Sequence, residues 1–299
     1  MTTDHTSFTR KFRYCYLLAI FFISFISSVH AQTGTQTGLA EVNGTTLYYE
    51  MAGTGTALIL IHGGAVDSRA WDDQFDEFAQ HYQVIRYDLR GTGRSADRDQ
   101  PYSNTEDLYS LMQFLKISTA SILGISRGGG FAYDFALEHP QMVKSLILVS
   151  SNLSAPVPAY EAMFEHTTEV GEKSGAAAAA QVWANDPYQG PQREEARPKV
   201  LKIIEDNVAR FRNFGGYKPV KQLSASDKPR AERLVEIKVP TLLIAGAHDN
   251  IDARNKYQRW ADGIPVAKIL FFPKAGHLVN IDQPREFNQA VEDFLATIH

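Results

Sequence analysis

The sequence predicts an α/β fold, a doubly wound and mainly parallel sheet with a helical insertion. Short continuous apolar runs such as Ala57–Ile61 and Ser145–Ser150 have the composition of strands covered on both faces. They alternate with segments of helical apolar spacing, an order that requires crossovers and therefore parallel neighbours. From 152 to 237 the strand-like runs stop. The chain has 299 residues, 44% apolar and 21% charged, enough material for a large buried core. Its net charge of −4 leaves no basic excess to neutralise phosphates, so nucleic acid is not an expected partner.

At the start of the chain, Arg10, Lys11 and Arg13 precede the apolar run Leu17–Ile26, and Val29-His30-Ala31 sets small residues around a cleavage point before Gln32. This is the pattern of a secretory signal peptide over 1–31, cut after Ala31. The run is shorter than the roughly 20 residues of a membrane span; an uncleaved N-terminal anchor is the alternative. Cys15, the only cysteine, precedes the apolar run, which argues against a lipoprotein, and it leaves with the peptide. The mature chain then has no disulfide and depends on its core. The expectation is a periplasmic or extracellular protein with no stable membrane anchor after cleavage. Residues 32–38, QTGTQTG, read as a flexible polar spacer.

The folded part is expected as a core over 39–151 and 238–299 with a cap over 152–237. Asn43-Gly44 marks a hairpin turn between strands near Val42 and Thr45–Tyr49. Ala57–Ile61 is a buried strand. Trp71–His81 has helical spacing through Trp71, Phe75 and Phe78, and Val84–Tyr87 is the next strand. Thr105–Leu115 is a helix on Leu108, Leu111, Met112 and Leu115. Ser121–Ile125 is a strand, Arg127–His139 a helix stopped by Pro140, and Ser145–Ser150 a strand. The insertion carries an alanine block, Ala176–Ala180, and several prolines. The strands resume at Thr241–Ala245 and Lys268–Phe272, with a helix near Ala253–Asp262 between them and a last helix over Pro284–Ile298.

The sharpest chemical signal is Gly124-Ile125-Ser126-Arg127-Gly128, between a strand and a helix. Glycines flanking such a turn remove Cβ atoms that would clash, and the turn raises the serine hydroxyl beside a helix N-terminus. The free N–H groups and positive dipole there suit a developing oxyanion. Serine is a weak nucleophile without a base, and the base needs an orienting carboxylate. Asp249 and His277 follow Ser126 in the order this strand–turn–helix context predicts, each in a loop just past a strand end. Asp252 and Asp282 are rivals for the acid, and Asp249 is preferred because it sits nearest its strand end. Strand 145–150 is followed by Ser150, Ser151 and Asn152, none of them a carboxylate. The loop His62-Gly63-Gly64 supplies further N–H donors, so the oxyanion hole is assigned to the backbone N–H groups of Gly64 and Arg127, with Gly63 or Ala65 as substitutes. His62 is expected to pack this loop and His248 to be solvated. No metal-binding spacing occurs among the histidines, and no cofactor is expected.

These stretches, HGG (62–64), DLRGTGRS (88–95), GISRGG (124–129), IAGAHDNI (244–251) and FFPKAGHLVNIDQPREFNQAVEDFL (271–295), resemble the α/β-hydrolase-fold superfamily of lipases, esterases, lactonases and C–C hydrolases. The resemblance covers 40–150 and 238–299. It implies eight strands, a helical cap over the site, and a fold-stabilising role for Asp88, Arg90, Gly91, Gly93 and Ser95. Arg127 departs from the apolar residue usual after the nucleophile in small esterases of this type. A guanidinium there attracts an anionic substrate or turns away to pair with a carboxylate. Serine at 126 argues against the related dehalogenases and epoxide hydrolases, which use Asp. The RGTGRS stretch is similar to proline iminopeptidases, but those carry an aromatic where this chain has Arg127. The expected activity is an exported serine hydrolase cleaving a small ester or lactone, with Tyr160, Met163, Phe164, Trp183, Phe211, Phe214 and Tyr217 supplying apolar surface in the cap. C–C hydrolase, amidase or cofactor-free perhydrolase chemistry on the same residues, or a non-catalytic binding role, are the alternatives.

Overall fold

The computed structural model describes residues 34–97, 100–151, 153, 158–208, 223, 226, 228–249 and 253–298. Strands β1 (Gln36–Val42) and β2 (Thr45–Ala52) form the expected hairpin. Its turn residues Asn43 and Gly44 both have positive φ, 45° and 66°, the conformation that Asn-Gly tolerates best. Strands β3 (Ala57–Ile61), β4 (Gln83–Tyr87), β5 (Ala120–Ile125), β6 (Val143–Val149), β7 (Thr241–Gly246) and β8 (Ala267–Phe272) complete an eight-stranded sheet. Its order is β1-β2-β4-β3-β5-β6-β7-β8. β1 and β2 pair antiparallel, as do β2 and β4; every pairing from β4 to β8 is parallel.

The apolar runs are buried on both sides because helices cover both faces. Leu58, Leu60, Leu123, Ile125, Ile147 and Val149 point into one apolar layer. There they meet α1 (Asp72–Phe78), α9 (Pro284–Leu295) and residues of the insertion. Their neighbours Ile59, Ile61, Ile122, Leu146 and Leu148 point into the other, against α2 (Asn104–Phe114), α3 (Arg127–Glu138) and α7 (Ala253–Gly263). The strict period of two is what divides one strand between two cores. The insertion is helical, with α4 (Pro158–Ser174), α5 (Ala176–Asn185) and α6 (Arg197–Val208). Met163, Trp183, Val200, Ile203 and Ile204 join the first layer, so the insertion shares the core's apolar packing.

Three expectations shift. The spacer over 32–38 ends early, because Gln36, Thr37 and Gly38 already pair with Met51, Glu50 and Tyr49 in β1. An exposed edge strand needs no apolar alternation, and the Tyr49 ring lies where a Cβ on Gly38 would stand. The helix expected over Trp71–His81 is a short 3-10 turn, Ser68–Trp71, capped by Asp67, followed by α1. The last helix stops at Leu295, and a four-residue helix, α8 (Val279–Asp282), precedes it. The predicted signal peptide over 1–31 lies outside the described residues, as do Asn152, Asp252, Phe211, Phe214, Tyr217 and the side chain of Tyr160.

Candidate active site

The parallel strands end along one edge, and backbone hydrogen bonds align the loops that leave it. Ser126 N–H donates to Val149 O at 2.8 Å, Ser150 N–H to Ile244 O at 2.8 Å, and Ala247 N–H to Phe272 O at 2.9 Å. His248 N–H donates to Ala275 O at 3.0 Å. The loops bearing Ser126, Asp249 and His277 are therefore fixed against one another strand by strand.

Ser126 sits between β5 and α3 with φ 55° and ψ −117°, a strained conformation for a residue with a Cβ. The surrounding glycines make it attainable. A Cβ on Gly124 would lie 2.4 Å from Gly128 O, one on Gly128 2.4 Å from His62 O, and one on Gly129 1.7 Å from Ser151 Oγ. The helix can therefore start directly against the neighbouring loops, with Ser126 buried at its N-terminus. Arg127 is the first residue of that helix, so its backbone N–H stands at the helix's positive end. Its guanidinium carbon lies 5.4 Å from the Phe131 ring centroid, one turn along.

His277 Nδ1 and Asp249 Oδ1 are 2.8 Å apart, and both side chains are buried. The contact fixes the ring and selects, for the neutral imidazole, the tautomer that bears its proton on Nδ1. Of the weighed acids that lie among the described residues, Asp249 is the one that meets His277. Asp282 accepts backbone N–H groups instead, and Asp252 is not described. The buried Tyr257 hydroxyl donates to Ser151 O at 3.3 Å. Burial, aided by the charge of Asp249, holds its phenol well above the usual range and therefore neutral. No hydrogen bond joins Ser126 Oγ to His277 among the described residues. Such bonds commonly tighten only when substrate binds.

The loop after β3 lies against the serine. A Cβ on Gly63 would stand 3.4 Å from Ser126 Cβ, whereas one on Gly64 would meet nothing within 4 Å. Gly64 therefore faces open space, and Ala65 turns the chain with φ 60°. His62 braces this loop. Its Nδ1 is 2.8 Å from Gly63 O, and Nε2 accepts from Leu89 N–H at 3.0 Å. Burial keeps its pKa below the ordinary value, so it is a neutral strut, as expected, and not a second base.

The 88–95 turn is structural in the same sense. Asp88 accepts from Ser68 N–H at 2.9 Å and Arg94 N–H at 2.7 Å, and Arg90 pairs with Asp107 at 2.7 Å. Exposed His248 is a loop residue. At the far end of α3, Glu106, Glu138 and His139 bring one potential metal-ligand atom each within 4.8 Å of the others, away from these groups.

Sequence reasoning missed the contacts made by the insertion. Asn207, fully buried on α6, donates to Asp67 Oδ2 and accepts from Gly93 N–H, both at 2.8 Å. His277 N–H donates to Tyr188 O at 3.1 Å. Backbone partners so distant in sequence leave no local pattern.

The arrangement can hold a serine hydroxyl beside backbone donors and an imidazole oriented by a carboxylate. Comparison with known proteins identifies the fold family. A sequence model described as the alpha/beta hydrolase fold matches residues 56–284. The 3-oxoadipate enol-lactonase 2 of Acinetobacter baylyi is 29% identical over 243 residues, covering 79% of this chain and 87% of its own. The 2-hydroxy-6-oxo-6-phenylhexa-2,4-dienoate hydrolase of Comamonas testosteroni is 28% identical over 264 residues, covering 83% of this chain and 91% of its own. Among solved structures, a thermophilic esterase from Thermogutta terrifontis superposes with a TM-score of 0.70 at 25% identity, over 88% of this chain and 99% of that one. An enol-lactonase from Burkholderia xenovorans shares the fold, with a TM-score of 0.72 at 23% identity over 87% and 100% of the two chains.

Proposed function

The chain belongs to the alpha/beta hydrolase family, and from that premise we propose that it is an exported serine hydrolase of small esters or lactones, acting through Ser126, His277 and Asp249. The observation that carries this reading is the 2.8 Å contact of His277 Nδ1 with Asp249 Oδ1 at the sheet edge that also carries the strained Ser126. Ser126 Oγ attacks the carbonyl carbon while His277 Nε2 takes its proton. Asp249 stabilises the resulting imidazolium. The N–H groups of Gly64 and Arg127 receive the oxyanion, a role in which one donor is worth roughly 10²–10³ in rate. His277 returns the proton to the leaving oxygen, giving an acyl-enzyme. Water then attacks the acyl carbon by the same route, and no step calls on a cofactor.

The insertion over 152–237 is the cap that selects substrate in this reading. Phe164, 40% exposed, stands edge-on to Trp183 at 4.8 Å and offers an apolar face for an acyl or aromatic group. Export rests on the 1–31 signal pattern alone, and it places the enzyme in the periplasm or outside the cell. The lactonase relative supports the lactone reading, and the dienoate relative supports C–C cleavage as the second reading.

Turnover of p-nitrophenyl esters, lactones and vinylogous diketones by wild type and Ser126→Ala tests both points. We expect ester or lactone turnover to fall at least about 10³-fold in Ser126→Ala with the fold retained. Undiminished activity in the purified variant would exclude Ser126 as the nucleophile, and selective turnover of the diketone would move the chemistry to C–C cleavage.

A further inference from the structure

We propose that Asp282 is a positioning residue that ties the base loop to the helical insertion, so that His277 is held in place by the cap as well as by Asp249. The inference rests on the catalytic reading above and extends it to a residue outside the Ser126, His277 and Asp249 set.

Asp282 ends α8 and is buried, 8% exposed, with both carboxylate oxygens in use. Oδ1 accepts the N–H groups of Gln192 at 2.7 Å and Arg193 at 3.2 Å, both from the insertion. Oδ2 accepts the N–H of Gly276, the residue before His277, at 2.9 Å. The strap is doubled on its other side, where His277 N–H donates to Tyr188 O at 3.1 Å. Gln192 locks the same segment, donating from Nε2 to Pro187 O at 3.1 Å and Gly190 O at 3.3 Å. It also packs so closely on Gly276 that a Cβ there would lie 3.0 Å from Gln192 Nε2.

A buried carboxylate is costly unless its charge is well satisfied. Here its three donors among the described residues are backbone N–H groups, and they come from two segments that no secondary structure connects. A carboxylate suits this junction because it is an acceptor on both oxygens. An asparagine of the same shape has one acceptor and one donor end. It can serve the insertion or Gly276, but never both, and one N–H is left facing an amide N–H. The expected consequence is a base loop released from the insertion with its fold unaltered. Because the backbone at 276–277 sets where the imidazole stands, the loss falls on proton transfer more than on substrate binding.

The test uses Asp282→Asn and Gln192→Ala in the full mature chain, with an activated ester as substrate. We expect kcat to fall at least tenfold in Asp282→Asn and about threefold in Gln192→Ala, with KM within twofold of wild type. The low-field proton resonance of the His277 Nδ1–H should shift or broaden in Asp282→Asn. Labelling of Ser126 by a fluorophosphonate should slow by the same factor as kcat. If Asp282→Asn does not fold, Gln192→Ala decides by the same kcat-against-KM comparison. Wild-type kcat and an unshifted resonance in folded variants would overturn the role of Asp282 while leaving the triad reading intact. Full activity in Ser126→Ala would instead overturn the triad reading itself.

Discussion

Ser126 and His62 show how single residues here are set by what surrounds them. The serine accepts a positive φ because Gly124, Gly128 and Gly129 leave room for backbone where any Cβ would collide. That demand is why the pentapeptide was legible in the sequence: close approach excludes side chains, and glycine records the exclusion. Asp282 was visible only as a rival acid, because its partners are main-chain N–H groups that any residue can supply. His62 was expected to be structural, and its burial gives the reading a pH signature. The folded state keeps the ring neutral, while the unfolded chain takes up a proton below about pH 6.5. The unfolded state thus binds more protons as pH falls, and stability contributed by a neutral His62 is complete above that pH and lost below it. We expect the urea midpoint to drop between pH 7.5 and pH 5, and to drop less in His62→Gln, whose amide oxygen can still accept from Leu89 N–H. An equal drop in the two proteins would remove this assignment.

At the scale of elements, the strands were readable because both faces of β3, β5, β6 and β7 are covered, which forces continuous apolar runs. Strand β1 was harder to place, since its first residues sit at an exposed sheet edge where Gln and Thr serve as well as Val. Helix α8 escaped notice because four residues are too few to show a period. The insertion was recognisable by the loss of strand pattern, but its attachment was not. That attachment is partly apolar, through Ile203 and Ile204, and partly a buried polar clamp at Asn207. Burial alone raises the Asp67 carboxyl, but the hydrogen bonds from Arg69 and Asn207 outweigh it and hold its pKa below the usual value. Replacing Asn207 with Ala removes the acceptor of the Gly93 N–H and a donor to Asp67. The expected loss is about 1–3 kcal/mol in urea unfolding. A change within error would show that α6 is held by its apolar face alone.

Across the whole molecule, the parallel sheet brings loops from three distant stretches of chain to one edge. Loops leaving adjacent strand ends are brought together by topology, which is why ligands gather at this edge in open α/β sheets. The insertion bonds to the His277 loop through Tyr188 and Asp282 and to the 88–95 turn through Asn207, so it is tied to the core at both places. Ser126 is proposed as a nucleophile activated by His277. Intact-mass measurement after treatment with a fluorophosphonate tests it most directly. One adduct per chain is expected, mapped to the peptide containing Ser126, with at least about a hundredfold slower adduct formation in folded His277→Ala. An unmodified chain, or an adduct on another residue with Ser126 untouched, would contradict it.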